Sequence, residues 1–218
     1  MSLNFKILLY EFKIFLKKFR KFNSINDLDK KMLDYINFKD GFFIECGANN
    51  GIDQSNTWHF EKFLNWKGVL IEPLPQKFYE LKKNRNGKNF FFNCALVDKK
   101  EKNDLRIYEK NLQSKIVSEN DIEYSDSVKV KSLTLTEILD RIESPQEIDF
   151  FSLDVEGFEY EVLRGNDFSK YNFRFLLIEI KNKKNKAKTD ELINFLIGKN
   201  YRFIKYLSKY DYLFEYLK

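Results

Sequence analysis

Four acidic residues stand at the ends of short apolar runs: Glu45 in FFIEC, Glu72 after GVLI, Asp154 after IDFFSL and Glu179 in FRFLLIEI. The first run leads into Gly47-Ala48-Asn49-Asn50-Gly51. Two glycines bracketing a tight turn before a helix let the backbone approach a ligand closely and set helix N–H groups beside it. The spacing is GxxxG rather than the GxGxxG of dinucleotide sites, and no Lys-Ser/Thr pair follows as in a phosphate-binding loop, so a pyrophosphate ligand is disfavoured. Glu72 follows Gly51 by 21 residues, about the separation across one strand–helix unit. A carboxylate there offers two acceptor oxygens to the two hydroxyls of a ribose. A lone strand-end glutamate reads as a surface residue, but turn and acid together read as an adenosine-type site.

Positioning these residues requires strands that end side by side. FFIEC (42–46), GVLIE (68–72), NFFFNCALV (89–97), IDFFSLD (148–154) and FRFLLIEI (173–180) each read as one strand. Helices are expected over 53–64, over Leu135–Ile142 behind a Thr134/Glu137 capping box, after Asp154 with Gly165 closing it, and over Thr189–Ile197. Residues 104–108 and 127–133 are candidate additional strands, and the aromatic tail 201–217 reads as two strands joined near Lys209. Alternating strands and helices predict βαβ units. Continuous apolar runs are those of strands covered on both faces. The expected fold is α/β: a Rossmann-like, mainly parallel seven-stranded sheet with helices on both faces, an antiparallel C-terminal hairpin and an extra N-terminal amphipathic helix. In such sheets ligands bind outside the carboxyl ends of the strands.

The chain has 218 residues, with no linker-like stretch and no repeats. It divides into an N-terminal helical extension (1–40) and one domain (41–218). Phe5, Leu8, Leu9, Phe12, Phe15, Leu16 and Phe19 recur at helical spacing, with Lys6, Lys13, Lys17, Arg20 and Lys21 opposite. Lys6, Glu11 and Lys13 interrupt the run, so it does not span a membrane, and no cleavage site makes it a signal peptide. The helix packs on the domain or a partner, the favoured reading, or lies in a membrane interface. Cys46 and Cys94 lie in apolar runs and suggest neither a disulfide framework nor a zinc site, which points to a reducing, cytoplasmic setting, with peripheral contact at the inner membrane face as an option. A net charge of +5 invites nucleic acid, but the basic residues are dispersed among acids. The densest group, Lys181–Lys188, has no aromatic for base stacking and reads as a solvated loop.

FIECGANNGIDQSNTWHFEKFLNWKGVLIEP followed by FFSLDVEGFEYEVLRG closely resembles the FkbM family of class I S-adenosylmethionine-dependent methyltransferases, over about residues 41–215. The resemblance implies that Glu45, Gly47, Asn49 and Gly51 surround the methionine part of S-adenosylmethionine and that Ser55, Asn56 and Thr57 open the next helix beside it. It also implies that Glu72, with Pro73 beside it, holds the ribose, and that Cys94, Ala95 and Leu96 flank the adenine. Family members mostly methylate hydroxyls of sugars and natural products, so the implied partner is a small-molecule or glycan acceptor. One departure is local: after IEI this chain continues KNKKNKAK, where relatives often carry His-Asn or Asn-Asn.

Methyl transfer to a hydroxyl needs near-attack geometry and removal of a proton. Asp154, Glu179 and His59 are the candidate bases, Asp154 first, and Glu156 is placed against the acceptor. His59 has an alternative reading as a packed or surface residue, and Glu159 and Glu161 read as helix solvation. Asp154 and Glu179, expected side by side, could instead hold a divalent metal. Two rival readings are a nicotinamide-dependent sugar-modifying enzyme, whose glycine pattern and Tyr/Lys pair are missing, and a membrane-associated scaffold with a degenerate cofactor site.

Overall fold

The computed structural model describes residues 3–85, 87–99, 105–110, 113–117, 127–181 and 186–218. In chain order the helices are α1 (Leu3–Lys17), α2 (Leu28–Met32), α3 (Trp58–Leu64), α4 (Pro75–Asn84), α5 (Leu135–Arg141), α6 (Glu159–Arg164) and α7 (Lys186–Ile197). The strands are β1 (Phe42–Cys46), β2 (Lys67–Ile71), β3 (Phe90–Phe92), β4 (Ala95–Leu96), β5 (Leu105–Lys110), β6 (Gln113–Val117), β7 (Val128–Val130), β8 (Ser132–Leu133), β9 (Glu147–Leu153), β10 (Asn172–Glu179), β11 (Tyr201–Tyr206) and β12 (Asp211–Tyr216).

Seven strands form the main sheet in the order β11-β12-β10-β9-β1-β2-β3. The five from β10 to β3 are parallel, while β12 runs antiparallel to β10 and pairs antiparallel with β11 as the expected hairpin. The apolar runs are continuous because both faces are covered. Ile44, Ile71, Phe151 and Ile178 face α5, α6 and α7, whereas Phe43, Leu70, Phe150 and Leu177 face α2, α3 and Leu81 of α4. Leu28, Met32 and Ile36 belong to this second core, so the chain already packs against the sheet before residue 40.

Strand order reverses at β1: β2 and β3 lie on one side, β9 and β10 on the other. That reversal opens a crevice at the carboxyl ends of β1 and β9. The capping box at Thr134 is present, with Glu137 N–H donating to Thr134 Oγ1 at 3.1 Å and Thr134 N–H donating to Glu137 Oε2 at 2.9 Å.

Three sequence expectations need correction. The helix expected from residue 53 starts at Trp58, because residues 53–57 form a turn held by Glu45 and Arg85. The run 89–97 is two strands: Asn93 donates its amide to the carbonyls of Glu72 and Pro73, both at 2.8 Å, and turns the chain out of the main sheet. Beyond that turn, β4 pairs with β8 in a separate two-stranded sheet, so 127–133 likewise divides into β7 and β8. A further helix, α4, was not disclosed by sequence periodicity, although Pro75 stands at its start.

Candidate active site

One cleft lies outside the carboxyl ends of β1, β2 and β9. Its lining includes residues 45–49, 53–56, 72–74 and 94–96, together with Ile107, Ser152 and residues 154–156. Its centre is the β1–β9 junction, where Asp154 N–H donates to Cys46 O and Gly47 N–H to Ile71 O, both at 3.1 Å. Gly47 has φ +84°, and a Cβ there would lie 1.9 Å from Asp154 O. Both the left-handed backbone and the close approach require glycine. Gly51 answers a different demand: its φ is +80°, and a Cβ would meet Leu81 Cδ1 and Arg85 Cγ at 2.6 and 2.7 Å. It packs against α4 and does not line the cleft. Asn49, Gln54 and Glu156, all on the cleft wall, also hold positive φ values of 49°, 64° and 55°, the sort of backbone strain that persists where surrounding structure over-determines it.

Beneath the turn lies a buried charge hub. Glu45 Oε2 accepts from Ser55 Oγ at 2.9 Å and Thr57 Oγ1 at 2.6 Å, and Oε1 accepts from Asn56 N–H at 2.7 Å. Arg85, 1% exposed, donates from Nη1 to Gly51 O and Ser55 Oγ, both at 3.1 Å, and from Nη2 to Thr57 Oγ1 at 3.0 Å. Its guanidinium pairs with Glu61 through Nε and stands 3.5 Å from Glu45 Oε2. One cation therefore ties both ends of the 51–57 segment to β1.

On the next strand, Glu72 is 5% exposed; its Oε2 accepts Asn49 N–H at 2.8 Å and its Oε1 accepts Leu74 N–H at 3.0 Å. Two backbone donors fix the carboxylate at the cleft wall. Leu74, Ala95 and Ile107 belong to one apolar cluster beside it and give a flat ring a dry seat.

At the other end stand the acids. Asp154, Glu156 and Glu179 each offer an oxygen within 4.8 Å of the others. Lys181 lies among them, its Nζ 2.8 Å from Glu156 Oε1 and 2.7 Å from Glu179 Oε2. Burial and the neighbouring Glu179 push the Asp154 carboxyl well above the usual carboxylate range, while Lys181 pulls it back. Burial disfavours the Lys181 ammonium, yet the two carboxylates outweigh that and its pKa is raised.

The methyltransferase FkbM domain family matches residues 45–204 of this chain. The chain belongs to the FkbM methyltransferase family. Among solved structures, the FkbM methyltransferase of Methylobacillus flagellatus KT is similar at TM-score 0.52 and 16% identity, with 84% of this chain and 45% of that one covered. The chain thus spans less than half the length of that protein, and the likeness bears on the fold alone. The precorrin-6y C5,15-methyltransferase of Geobacter metallireducens GS-15 gives 0.47 at 11% identity over 87% of this chain and 86% of its own. No curated protein matches the sequence.

The cleft of this FkbM domain fits the family's cofactor. Asn49 Oδ1 and Asn56 Oδ1 are buried acceptors without a hydrogen-bond partner, and both belong to cleft residues. Acceptors left over call for donors, which an ammonium and ribose hydroxyls provide. Of the residues the sequence singled out, the structure brings Glu45, Gly47, Asn49, Ser55, Asn56, Glu72, Pro73, Ala95, Asp154 and Glu156 together on the cleft wall. Thr57 and Gly51 sit behind it in the Arg85 hub, and Glu179 stands behind Asp154.

His59 is elsewhere. It stacks between Phe22 and Phe63 at centroid distances of 4.7 and 5.2 Å, and its Nδ1 lies 3.1 Å from Lys21 O. Burial lowers its pKa. It packs the domain against the segment after α1 and is not among the cleft-lining residues, so the candidate base is withdrawn in favour of its packed reading. Glu159 also departs from its expected role as helix solvation: it is 7% exposed and accepts N–H groups of Gly157 at 2.9 Å and Val155 at 3.4 Å, fixing the loop after Asp154.

Sequence reasoning missed Arg85, Lys181 and Ile107. For Lys181 a signal existed, the replacement of the pair found in relatives. For Arg85 there was none, since it ends a helix of solvated character.

Proposed function

We propose that this domain transfers a methyl group from S-adenosylmethionine to a hydroxyl oxygen, on a sugar of a surface polysaccharide or glycolipid. The observation that carries this reading is Asp154: a carboxyl on the cleft wall, backed by Glu179, held in a more basic state than an ordinary aspartate. S-adenosylmethionine supplies a methyl on a positively charged sulfur, open to in-line displacement. Glu72 receives the ribose hydroxyls, Leu74, Ala95 and Ile107 seat the adenine, and the orphaned Asn49 and Asn56 oxygens take the methionine end. The acceptor hydroxyl meets Asp154, with Glu156 holding a neighbouring hydroxyl. As the new oxygen–carbon bond forms and the carbon–sulfur bond breaks, its electron pair stays on sulfur and the hydroxyl proton passes to the Asp154 carboxylate. Lys181 keeps enough negative charge on the acid pair for Asp154 to accept that proton.

The acid cluster also has the donor set for a divalent cation. An ion there would have to displace the Lys181 ammonium from both Glu156 and Glu179, so we assign the counter-charge to Lys181. Dialysis against a chelator without loss of turnover supports Lys181; loss restored by a divalent ion supports the metal. The free, buried Cys46 and Cys94 fit a reducing, cytoplasmic setting.

The test is transfer of labelled methyl from S-adenosylmethionine to the host's polysaccharide fractions and nucleotide sugars. Base-stable label on sugar supports the proposal. Label confined to protein or nucleic acid, or released by mild base as an ester, contradicts it.

A further inference from the structure

The helix α1 leaves its most apolar side uncovered. At 100° per residue, Phe15, Leu8, Phe12, Phe5, Leu16 and Leu9 fall on one arc about 120° wide, and Phe19, in the turn just beyond the helix, packs edge-on against Phe15. All seven are exposed, with Leu8, Phe12 and Phe19 at 62%, 56% and 73%. Contiguous apolar surface of this kind marks an interaction site. The side facing the domain is different. There Ile14 is buried with Ile52 and Trp58, Tyr10 Oη donates to Glu80 Oε2 at 2.9 Å, and Lys17 pairs with Asp53. The helix is thus held by one edge, with its greasy arc turned away from its own fold.

Charge identifies what the arc meets. Residues 3–22 carry six basic side chains, Lys6, Lys13, Lys17, Lys18, Arg20 and Lys21, against the single acid Glu11. On the same wheel, where the apolar arc runs from about 60° to 180°, Lys13 and Lys6 fall at about 220° and 240°, beside one edge of the arc; Arg20 follows just after the helix, and all three are exposed. An apolar stripe edged by cations is complementary to an acyl layer beneath anionic headgroups. A second copy of the helix would instead bring like charges together along the seam. Among the described residues no helix is long and apolar enough to cross a membrane, so the helix would lie in the plane of the interface.

We propose that α1 is an in-plane anchor docking this protein on anionic bilayers. The anchor abuts the cleft: Asp53, the partner of Lys17, lines it, and Asn50 Nδ2 donates to Tyr10 Oη at 3.0 Å from the glycine turn. Docking therefore sets the cleft rim beside the lipid headgroups. The proposal stands whether or not the sugar-hydroxyl acceptor holds, because it reads binding and not turnover.

The test is co-sedimentation of the full chain with vesicles of phosphatidylcholine alone or with about 30% phosphatidylglycerol. Anionic vesicles should bind at least tenfold more tightly than neutral ones, and binding should weaken at high salt. The variant Leu8→Asp/Phe12→Asp/Phe19→Asp, altered only at exposed positions, should keep its thermal midpoint and lose binding at least tenfold. Three results overturn the proposal: no binding to anionic vesicles, binding that the folded triple variant retains, or a dimer by sedimentation velocity that the triple variant abolishes while wild type ignores vesicles. Should the triple variant not fold, Lys6→Glu/Lys13→Glu/Arg20→Glu serves in its place, with the same loss expected and retention overturning the idea.

Discussion

Replacing Arg85 with Met removes the cation at the centre of the turn while roughly keeping side-chain length. Glu45, 4% exposed, and Glu61 would then face each other's side of the hub without a counter-charge. Gly51 O would lose its Arg85 donor, and the hydroxyls of Ser55 and Thr57 would lose an N–H donor each. Removing one partner from a buried pair costs about 3–5 kcal/mol, against under about 1 kcal/mol for an exposed pair. For a chain of this size each kcal/mol shifts the thermal midpoint by about 2–4 °C, so the midpoint should fall by about 6–20 °C. Urea unfolding followed by circular dichroism measures the same loss at constant temperature. Arg85→Lys should recover only a small part, because an ammonium cannot reproduce the guanidinium fork that reaches Glu61, Gly51, Ser55 and Thr57 together. The variant should also bind S-adenosylmethionine more weakly although Arg85 does not line the cleft, since the 51–57 segment loses its support. A loss below about 1 kcal/mol would refute the hub, placing the interaction among surface pairs.

Asp154→Asn should lower kcat by about 10²–10⁴ while leaving S-adenosylmethionine affinity within a few-fold, checked by steady-state kinetics and calorimetry. The raised Asp154 pKa has a definite sign: the base proposed here works only when deprotonated, so kcat/KM should climb with pH through an apparent pKa above the ordinary carboxylate range. That value belongs to the Asp154–Glu179 pair. Lys181→Ala removes the charge that lowers the Asp154 pKa and should move this acidic limb to higher pH, which a pH–rate profile reads directly. Gly47→Ala places a methyl 1.9 Å from Asp154 O at φ +84° and should destabilise the fold by more than about 2 kcal/mol in urea unfolding.

The central sheet was legible because its strands are buried on both faces and end in acids, so apolar runs and strand-end carboxylates marked the cleft from residues 42–46, 68–72 and 148–154. What escaped depended on tertiary burial that composition hides. In PQKFYELKKNR the arginine looks as solvated as its neighbours, yet it is drawn inside by Glu45 and Glu61 from elements far away in sequence. Lys181 heads a lysine-rich stretch that reads as a surface loop, and only the fold brings Glu156 within reach of it. His59 drew notice as the single histidine, but stacking on Phe22 and Phe63 accounts for it. The run 89–97 looked like one strand because apolar residues stand directly on both sides of Asn93; the turn made by that side chain carries no periodicity signal.

Isothermal titration of S-adenosylmethionine into the folded chain bears most directly on the cleft. Single-site binding in the micromolar range is expected, abolished by Glu72→Ala without loss of the thermal transition. A folded wild-type chain that gives no binding heat at several temperatures, or a Glu72→Ala variant with undiminished affinity, would contradict the assignment.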